Sequence, residues 1–476
     1  MFSNLTLLTD MYELTMVGGY LVSGKAKQKA NFDYFFRKIP DEGGYCVTAG
    51  LEQLIDYIKK IHFAAEDLAY LESLNVFPSQ VLRYLEKFRF TGDLWAIPEG
   101  TAVFPHEPII RVTAPLPEAQ FIESALLNII NFQTLIATKS ARVCIATEGD
   151  PVIEFGLRRA HGPDAALGAA RAAFIGGAQG TSNVMAGKLF GIPVRGTVAH
   201  SWVESFPSEL DAFRAYCRVY PEGCLLLVDT YDTLKSGLPN AIQIGKELRA
   251  QGKGDLLGIR LDSGDLAYLS QEARKMLDDE GFDKTKIFAS SDIDEWIIES
   301  IKKQGGRIDQ WGVGTKLVTA YSTPALGGVY KLTGIEENGR MIPKIKRSDN
   351  PEKITNPGLK KVTRFFDDNG LMRGDVMHLS EEVLESKPLR VFHPMVPHIT
   401  KVYPPKFERK ELLVPIFLEG KLVYQNPSLT DIRENTRRNL ARLGPEFKRF
   451  RNPHIYHVSL SKKLMRVKQA LLKAAF

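Results

Sequence analysis

Short apolar runs ending in polar or glycine residues, several followed by an amphipathic stretch, set the rhythm of the middle of this chain. The runs are Val152–Phe155, Ala173–Ile175, Ile192–Val194, Cys224–Val228, Leu256–Leu261, Lys286–Ala289 and Trp311–Val313, with helices such as Tyr268–Glu280 and Asp294–Lys303 between them. Strand, loop and helix repeated in series predict parallel β/α architecture, and so many units fit an irregular barrel better than an open sheet. Before this stretch, Leu51–Ile61 and Ala119–Ile130 are apolar at helical spacing, and Gly92–Val112, rich in Pro, Gly and aromatics, reads as short strands and turns. Beyond Pro343 the rhythm is lost. Lys344–Arg364 is basic and turn-rich, and Leu412–Tyr424 reads as two strands joined at Glu419-Gly420. The fold class expected is therefore α/β: an N-terminal α+β domain over residues 1–130, an irregular β/α barrel over 131–342 and a C-terminal covering domain over 343–476.

Composition narrows the class. At 476 residues, with 44% hydrophobic and 25% charged, the chain has the mix of a globular protein of two or three domains. No apolar run in the sequence reaches the ~18–20 residues a bilayer crossing needs, and Met1–Thr9 lacks the features of a secretory leader. Cys46, Cys144, Cys217 and Cys224 show no CxxC spacing, which argues against a zinc site or a disulfide framework and for a reducing, cytoplasmic location. The net charge of +6 is uneven: from Glu434 onward there are eleven Lys/Arg against two acidic residues. With Leu440, Leu443, Leu464, Val467 and Leu471 interleaved, this run reads as the solvated face of helices; no nucleic-acid or membrane partner is expected.

In a β/α barrel the chemistry sits on the loops at the C-terminal ends of the strands. Here those positions carry Arg158, Arg159 and His161; Gly196, Thr197 and His200; Asp229 and Asp232; Asp262 and Asp265; Ser290, Ser291 and Asp292; and Gly314 and Thr315, with Arg260 near the end of its strand. Gly312-Val313-Gly314-Thr315 can present backbone N–H groups to a phosphate, or be an ordinary turn. At Gly176–Thr181, a second glycine turn, Thr181 or Ser182 is a candidate helix cap. Asp262 and Asp265 can serve hydrated Mg²⁺ or ribose hydroxyls, or cap the next helix. Arg260 can pair a carboxylate or lie on a ring, or form a structural salt bridge. His161 and His200 can each be structural or catalytic.

Eight segments in order carry a resemblance: Leu7–Tyr12, Glu154–Arg159, Gly180–Val184, Gly196–Ser201, Val228–Asp232, Arg260–Leu266, Gly312–Thr315 and Leu326–Leu332, with Asn356-Pro357-Gly358 behind them. The chain resembles the nicotinate phosphoribosyltransferases. The resemblance implies condensation of nicotinate with phosphoribosyl pyrophosphate, coupled to ATP hydrolysis, giving nicotinate mononucleotide for NAD biosynthesis. It implies that His200 is transiently phosphorylated and that Tyr12, Thr197 and Arg260 contact nicotinate, with Phe155 stacking on its ring. It assigns Arg158 to phosphate oxygens, Asp229 and Asp262 to ribose or Mg²⁺, and Gly314 with Thr315 to the 5′-phosphate. Asp262 and Arg260 stand with His200 as the catalytic candidates. ATP is implied as co-substrate and Mg²⁺ as cofactor, in a homodimer whose partner chain helps close the site.

The nearest alternative is nicotinamide phosphoribosyltransferase, of the same fold. That enzyme carries an Asp within the segment matching Gly180–Val184, where this chain has the uncharged Ser182, which favours a carboxylate substrate. A Schiff-base lyase built on Lys316 is a rival of another class.

Overall fold

The computed structural model describes residues 4–385 and 387–474, so the first three residues of the Met1–Thr9 segment lie outside it. The chain divides into two compact units, one built from both chain ends, up to Leu135 and from Ala325 onward, and one spanning Ile136–Pro324.

The first unit contains two large sheets. A seven-stranded sheet runs in the order Arg340–Pro343, Gly328–Glu337, Lys29–Phe36, Ile110–Pro115, Asp93–Ala96, Val414–Leu418 and Lys421–Leu422. The N-terminal and C-terminal stretches of the sequence are thus hydrogen-bonded neighbours in one sheet. The expected hairpin at Glu419-Gly420 is present, with φ of 48° and 73°, the left-handed pair that a tight hairpin requires. The second sheet, of six strands, packs Phe365, Val376, Val391 and Tyr403 into a core, with Lys360–Phe366 and Met372–Leu379 among its strands.

The second unit is the irregular β/α barrel. Its six parallel strands run in the order Gly180–Thr181, Val152–Glu154, Gln310–Val313, Lys286–Ser291, Gly258–Leu261 and Leu225–Leu227. The last strand in sequence pairs with the first, Trp311 with Val152 and Val313 with Glu154. A single bridge, Thr181 to Val194, extends the far edge.

Three sequence expectations are corrected here. Ala173–Ile175 is the last turn of helix Pro163–Gly176, not a strand, because alanine-rich sequence holds a helix until Gly177, at φ 128°, ends it. The strand at that place is Gly180–Thr181. Ile192–Val194 makes only the Val194 bridge, since Pro193 has no N–H to give to a ladder. Cys217 and Cys224 are joined in a disulfide with Cα atoms 5.3 Å apart. Helix Glu209–Val219 ends in a turn that leads straight into strand Leu225–Leu227, and this reversal brings together two cysteines whose spacing suggested no bond.

The helical stretch Leu116–Ala146 is long and apolar enough to cross a bilayer by length and composition, yet most of it is buried. Its C-terminal part carries Lys139 and Arg142, both buried, and each meets the buried Glu295 at 2.9 and 2.8 Å respectively. Removing one partner of such a cluster strands charges in a medium that solvates them poorly. Glu295→Ala is expected to lower the unfolding free energy by ~3–5 kcal/mol, measured by urea denaturation, while Glu295→Gln, which keeps an acceptor, costs less.

Candidate active site

The strand ends of the barrel surround a cavity of about 630 Å³. Phe155 follows Val152–Glu154, and its N–H donates to the Val313 carbonyl at 2.9 Å. Its ring lies against Gly312, where a Cβ would stand 2.6 Å from two ring carbons, so the glycine makes room for the aromatic face. Behind it the buried Glu154 accepts from Thr181 Oγ1 at 2.6 Å and from the Gly156 N–H; burial pushes its carboxyl above the usual range, against the pull of these donors. Arg158 and Arg159 stand exposed on the short turn Leu157–Arg159 at the cavity wall.

Opposite them, Arg260 ends its strand with most of its side chain shielded. Its Nη1 donates to Thr197 Oγ1 at 2.5 Å and to the Val198 carbonyl at 3.3 Å, and Nη2 faces Asp262 Oδ1 at 3.4 Å. Burial lowers its pKa, while the Asp262 and Asp229 carboxylates act to raise it. Its Nε is buried with no hydrogen-bond partner among the described residues. Asp262 also accepts from Ser290 Oγ. His200 opens the helix His200–Glu204, with Nδ1 3.1 Å from Thr230 Oγ1 and Nε2 3.7 Å from Asp262 Oδ2. Asp229 lies one layer back: its Oδ2 accepts from the Asp262 N–H at 2.9 Å and Ser263 Oγ at 2.6 Å. Gly314 and Thr315 complete the wall beside Phe155.

The structure therefore brings Phe155, Arg158, Thr197, His200, Arg260, Asp262, Gly314 and Thr315 around one cavity, with Asp229 supporting Asp262. Asp265 and Asp232 instead cap the following helices through backbone N–H groups. The cap of Val184–Phe190 is Asn183 rather than Thr181 or Ser182. His161 is exposed in a loop and is not part of the cavity wall. Lys316 Nζ is held by Asp294 at 3.0 Å in an ion pair and does not line the cavity. Two contributors were not singled out from sequence: Thr230, whose place beside Asp229 at a strand end was its only signal, and Arg195, which lines the cavity.

Tyr12 belongs to the other unit, exposed on helix Met11–Val22. Its hydroxyl is pushed up to about 12 by burial first, then by Glu123 and Glu13. Glu13 is itself fully buried, and accepts from Thr9 Oγ1 and from the Ser124 N–H at 2.9 Å. Burial raises its carboxyl from 4.5 to about 7.

Comparison with known proteins places this geometry. Family models describing the nicotinate phosphoribosyltransferase N-terminal domain, the family itself and its C-terminal domain match residues 7–131, 151–370 and 359–468. A nicotinate phosphoribosyltransferase of Bacillus subtilis (strain 168) is 50% identical over 460 residues, covering 96% of this chain and 93% of that protein. The chain belongs to the nicotinate phosphoribosyltransferase family. The crystal structure of human nicotinic acid phosphoribosyltransferase superposes with a TM-score of 0.86 at 29% identity, covering 97% of this chain and 99% of that one. A nicotinate-nucleotide pyrophosphorylase from Pyrococcus furiosus shares the fold, with a TM-score of 0.71 at 24% identity over 92% of this chain and 95% of that one.

Two outcomes follow from the geometry. Gly312→Ala forces the Phe155 ring aside, and turnover in this family member is expected to fall by about tenfold or more with the circular dichroism spectrum unchanged. For Glu13, the native state holds more protons than the unfolded chain between its ordinary 4.5 and about 7, so its contribution makes stability decline as pH rises through that window. Glu13→Gln is expected to flatten this decline in a pH series of thermal unfolding.

Proposed function

We propose that the barrel cavity transfers the phosphoribosyl group of phosphoribosyl pyrophosphate to nicotinate, and that ATP, through transient phosphorylation of His200, drives the step. Family membership makes phosphoribosyl transfer to nicotinate, in NAD biosynthesis, the activity of this chain. The observation that carries the site assignment is the convergence of an aromatic face, a shielded Arg and a strand-end His on one cavity.

Nicotinate is a flat ring bearing a carboxylate. Phe155 offers it a face, and Arg260, oriented by its bond to Thr197, offers a fixed cation. Ser182, also on the cavity wall, brings no negative charge against that carboxylate, which favours nicotinate over nicotinamide. Arg158 takes phosphate oxygens, and the Gly314-Thr315 turn takes the 5′-phosphate. As the bond from ribose C1 to pyrophosphate breaks, C1 gains oxocarbenium character, and the pyridine nitrogen attacks it. No protein nucleophile is needed, and the residues act by positioning and charge neutralisation.

The donor set fits Mg²⁺. Asp229 Oδ1 is buried with no hydrogen-bond partner among the described residues, and Asp262 lies beside it. No group of three metal-binding side chains exists among the described residues, which suits an ion held by one or two carboxylates, water and phosphates. Bound there, Mg²⁺ would neutralise charge on the departing pyrophosphate.

In the coupled step a His200 ring nitrogen accepts the γ-phosphoryl group of ATP, releasing ADP, and water later cleaves the phosphohistidine to free phosphate. The covalent change alters the charge of the mouth, so ATP energy becomes differential affinity for substrate. We further infer a homodimer in which Tyr12 of a second copy helps close the mouth; the exposure of Leu5, Leu8, Met11 and Tyr12 supports such a contact surface.

Incubation with γ-labelled ATP is expected to leave acid-labile label on the wild type and none on His200→Ala. ATP is expected to lower the nicotinate KM of the wild type by about tenfold or more, ~1.4 kcal/mol, and to leave that of the variant unmoved. Label persisting on His200→Ala would refute the assignment.

A further inference from the structure

The unit built from the chain ends has a cavity of its own, of about 510 Å³, a size that suits a small organic ligand. Strand Glu408–Glu411 and helix Leu429–Arg442 supply much of its wall. Its charges do not balance. Lys410 and Arg438 have no side-chain hydrogen bond or ion pair among the described residues. Burial, and then the nearby Arg364 and Arg442, lower the Lys410 pKa, with Glu408 acting against them. Arg364 is 1% exposed; its Nε and Nη2 hold Asp375, while Nη1 is buried with no hydrogen-bond partner among the described residues.

The acids of the same wall are each hydrogen-bonded, one of them to a cation. Glu411 pairs with Lys361 at 3.1 Å, and Asp431 accepts from Ser428 Oγ at 2.6 Å. Glu99 Oε1 accepts from the Gly50 and Leu51 N–H groups at 2.5 and 3.2 Å. Arg442 is likewise committed, to Glu408 at 2.9 Å and to the Gly370 carbonyl at 2.8 Å. Four cations, Arg364, Lys410, Arg438 and Arg442, thus stand on the wall against three acids, and of these cations Lys410 and Arg438 are the two with no hydrogen bond or ion pair among the described residues. Beside them Tyr424 is half-buried, and its ring packs on no other aromatic ring among the described residues.

We propose that this cavity binds a nucleoside phosphate, with the phosphate on Lys410 and Arg438 and the heterocycle against Tyr424. An ammonium and a guanidinium suit a compact anion of high charge, and an unstacked tyrosine suits a planar ring. The site draws nothing from the barrel chemistry, so the two stand or fall separately.

The test uses the full chain with adenosine 5′-monophosphate, and with adenosine and inorganic phosphate as separate arms. Hydrogen exchange is read on Glu408–Glu411 and Leu429–Arg442, which reports on this cavity and not on the barrel. The monophosphate is expected to slow exchange in both elements, and each half alone to bind weaker by about tenfold or more. K410E/R438E is expected to lose the protection with phosphoribosyl transfer unchanged. Tyr424→Ala, which leaves the charges in place, is expected to weaken the monophosphate and not inorganic phosphate. Unchanged exchange at saturating monophosphate, or protection that survives in K410E/R438E, overturns the proposal. Inorganic phosphate binding as tightly as the monophosphate overturns it too, because the ligand is then a bare anion.

Discussion

The parallel pairing of Gln310–Val313 with Val152–Glu154 is the constraint on which the site depends. It joins the last strand to the first, so every parallel strand points its C-terminal end at one rim and the polar residues after those ends are gathered without long loops. The same ladder decides two residue identities. Trp311 is fully buried, its Nε1 bonded to Asp150 at 3.0 Å, and locks the lower end of the strand. Gly312 leaves space that the Phe155 ring fills, and the Phe155 N–H continues the ladder to Val313. The aromatic face is therefore set by backbone pairing, not by a side-chain rotamer free to wander.

On that frame the charges are arranged in advance. Arg260 is shielded from water and held by Thr197, and its charge is balanced by carboxylates that are themselves tied down: Asp262 by Ser290, and Asp229 by the Asp262 backbone and Ser263. Groups fixed in this way need little reorganisation when charge develops on a substrate. The cost is visible in the atoms left without hydrogen-bond partners among the described residues, Arg260 Nε and Asp229 Oδ1, which a ligand or ion of suitable charge would satisfy.

Much of this was legible in the chain because apolar runs ending in polar residues encode both a strand and the chemistry at its end. Residues on regular strands were placed well for that reason. The readings that failed depended on context the sequence hides. Ala173–Ile175 is apolar enough for a strand, yet alanine favours helix and only the packed structure decides. The Cys217–Cys224 bond needs a chain reversal that spacing does not announce. Thr230 meets His200 from thirty residues away, a pairing made by the folded strands and not announced by spacing.

The central claim is that this cavity joins nicotinate to phosphoribosyl pyrophosphate. The most direct test is product analysis of the purified chain with phosphoribosyl pyrophosphate and Mg²⁺, offered nicotinate and nicotinamide in equal amounts. The account predicts nicotinate mononucleotide and pyrophosphate released in equal amounts, with nicotinamide left untouched. Preferential consumption of nicotinamide would contradict the assignment of Arg260, Thr197 and Ser182 to a carboxylate substrate, and no reaction with either base would contradict the claim as a whole.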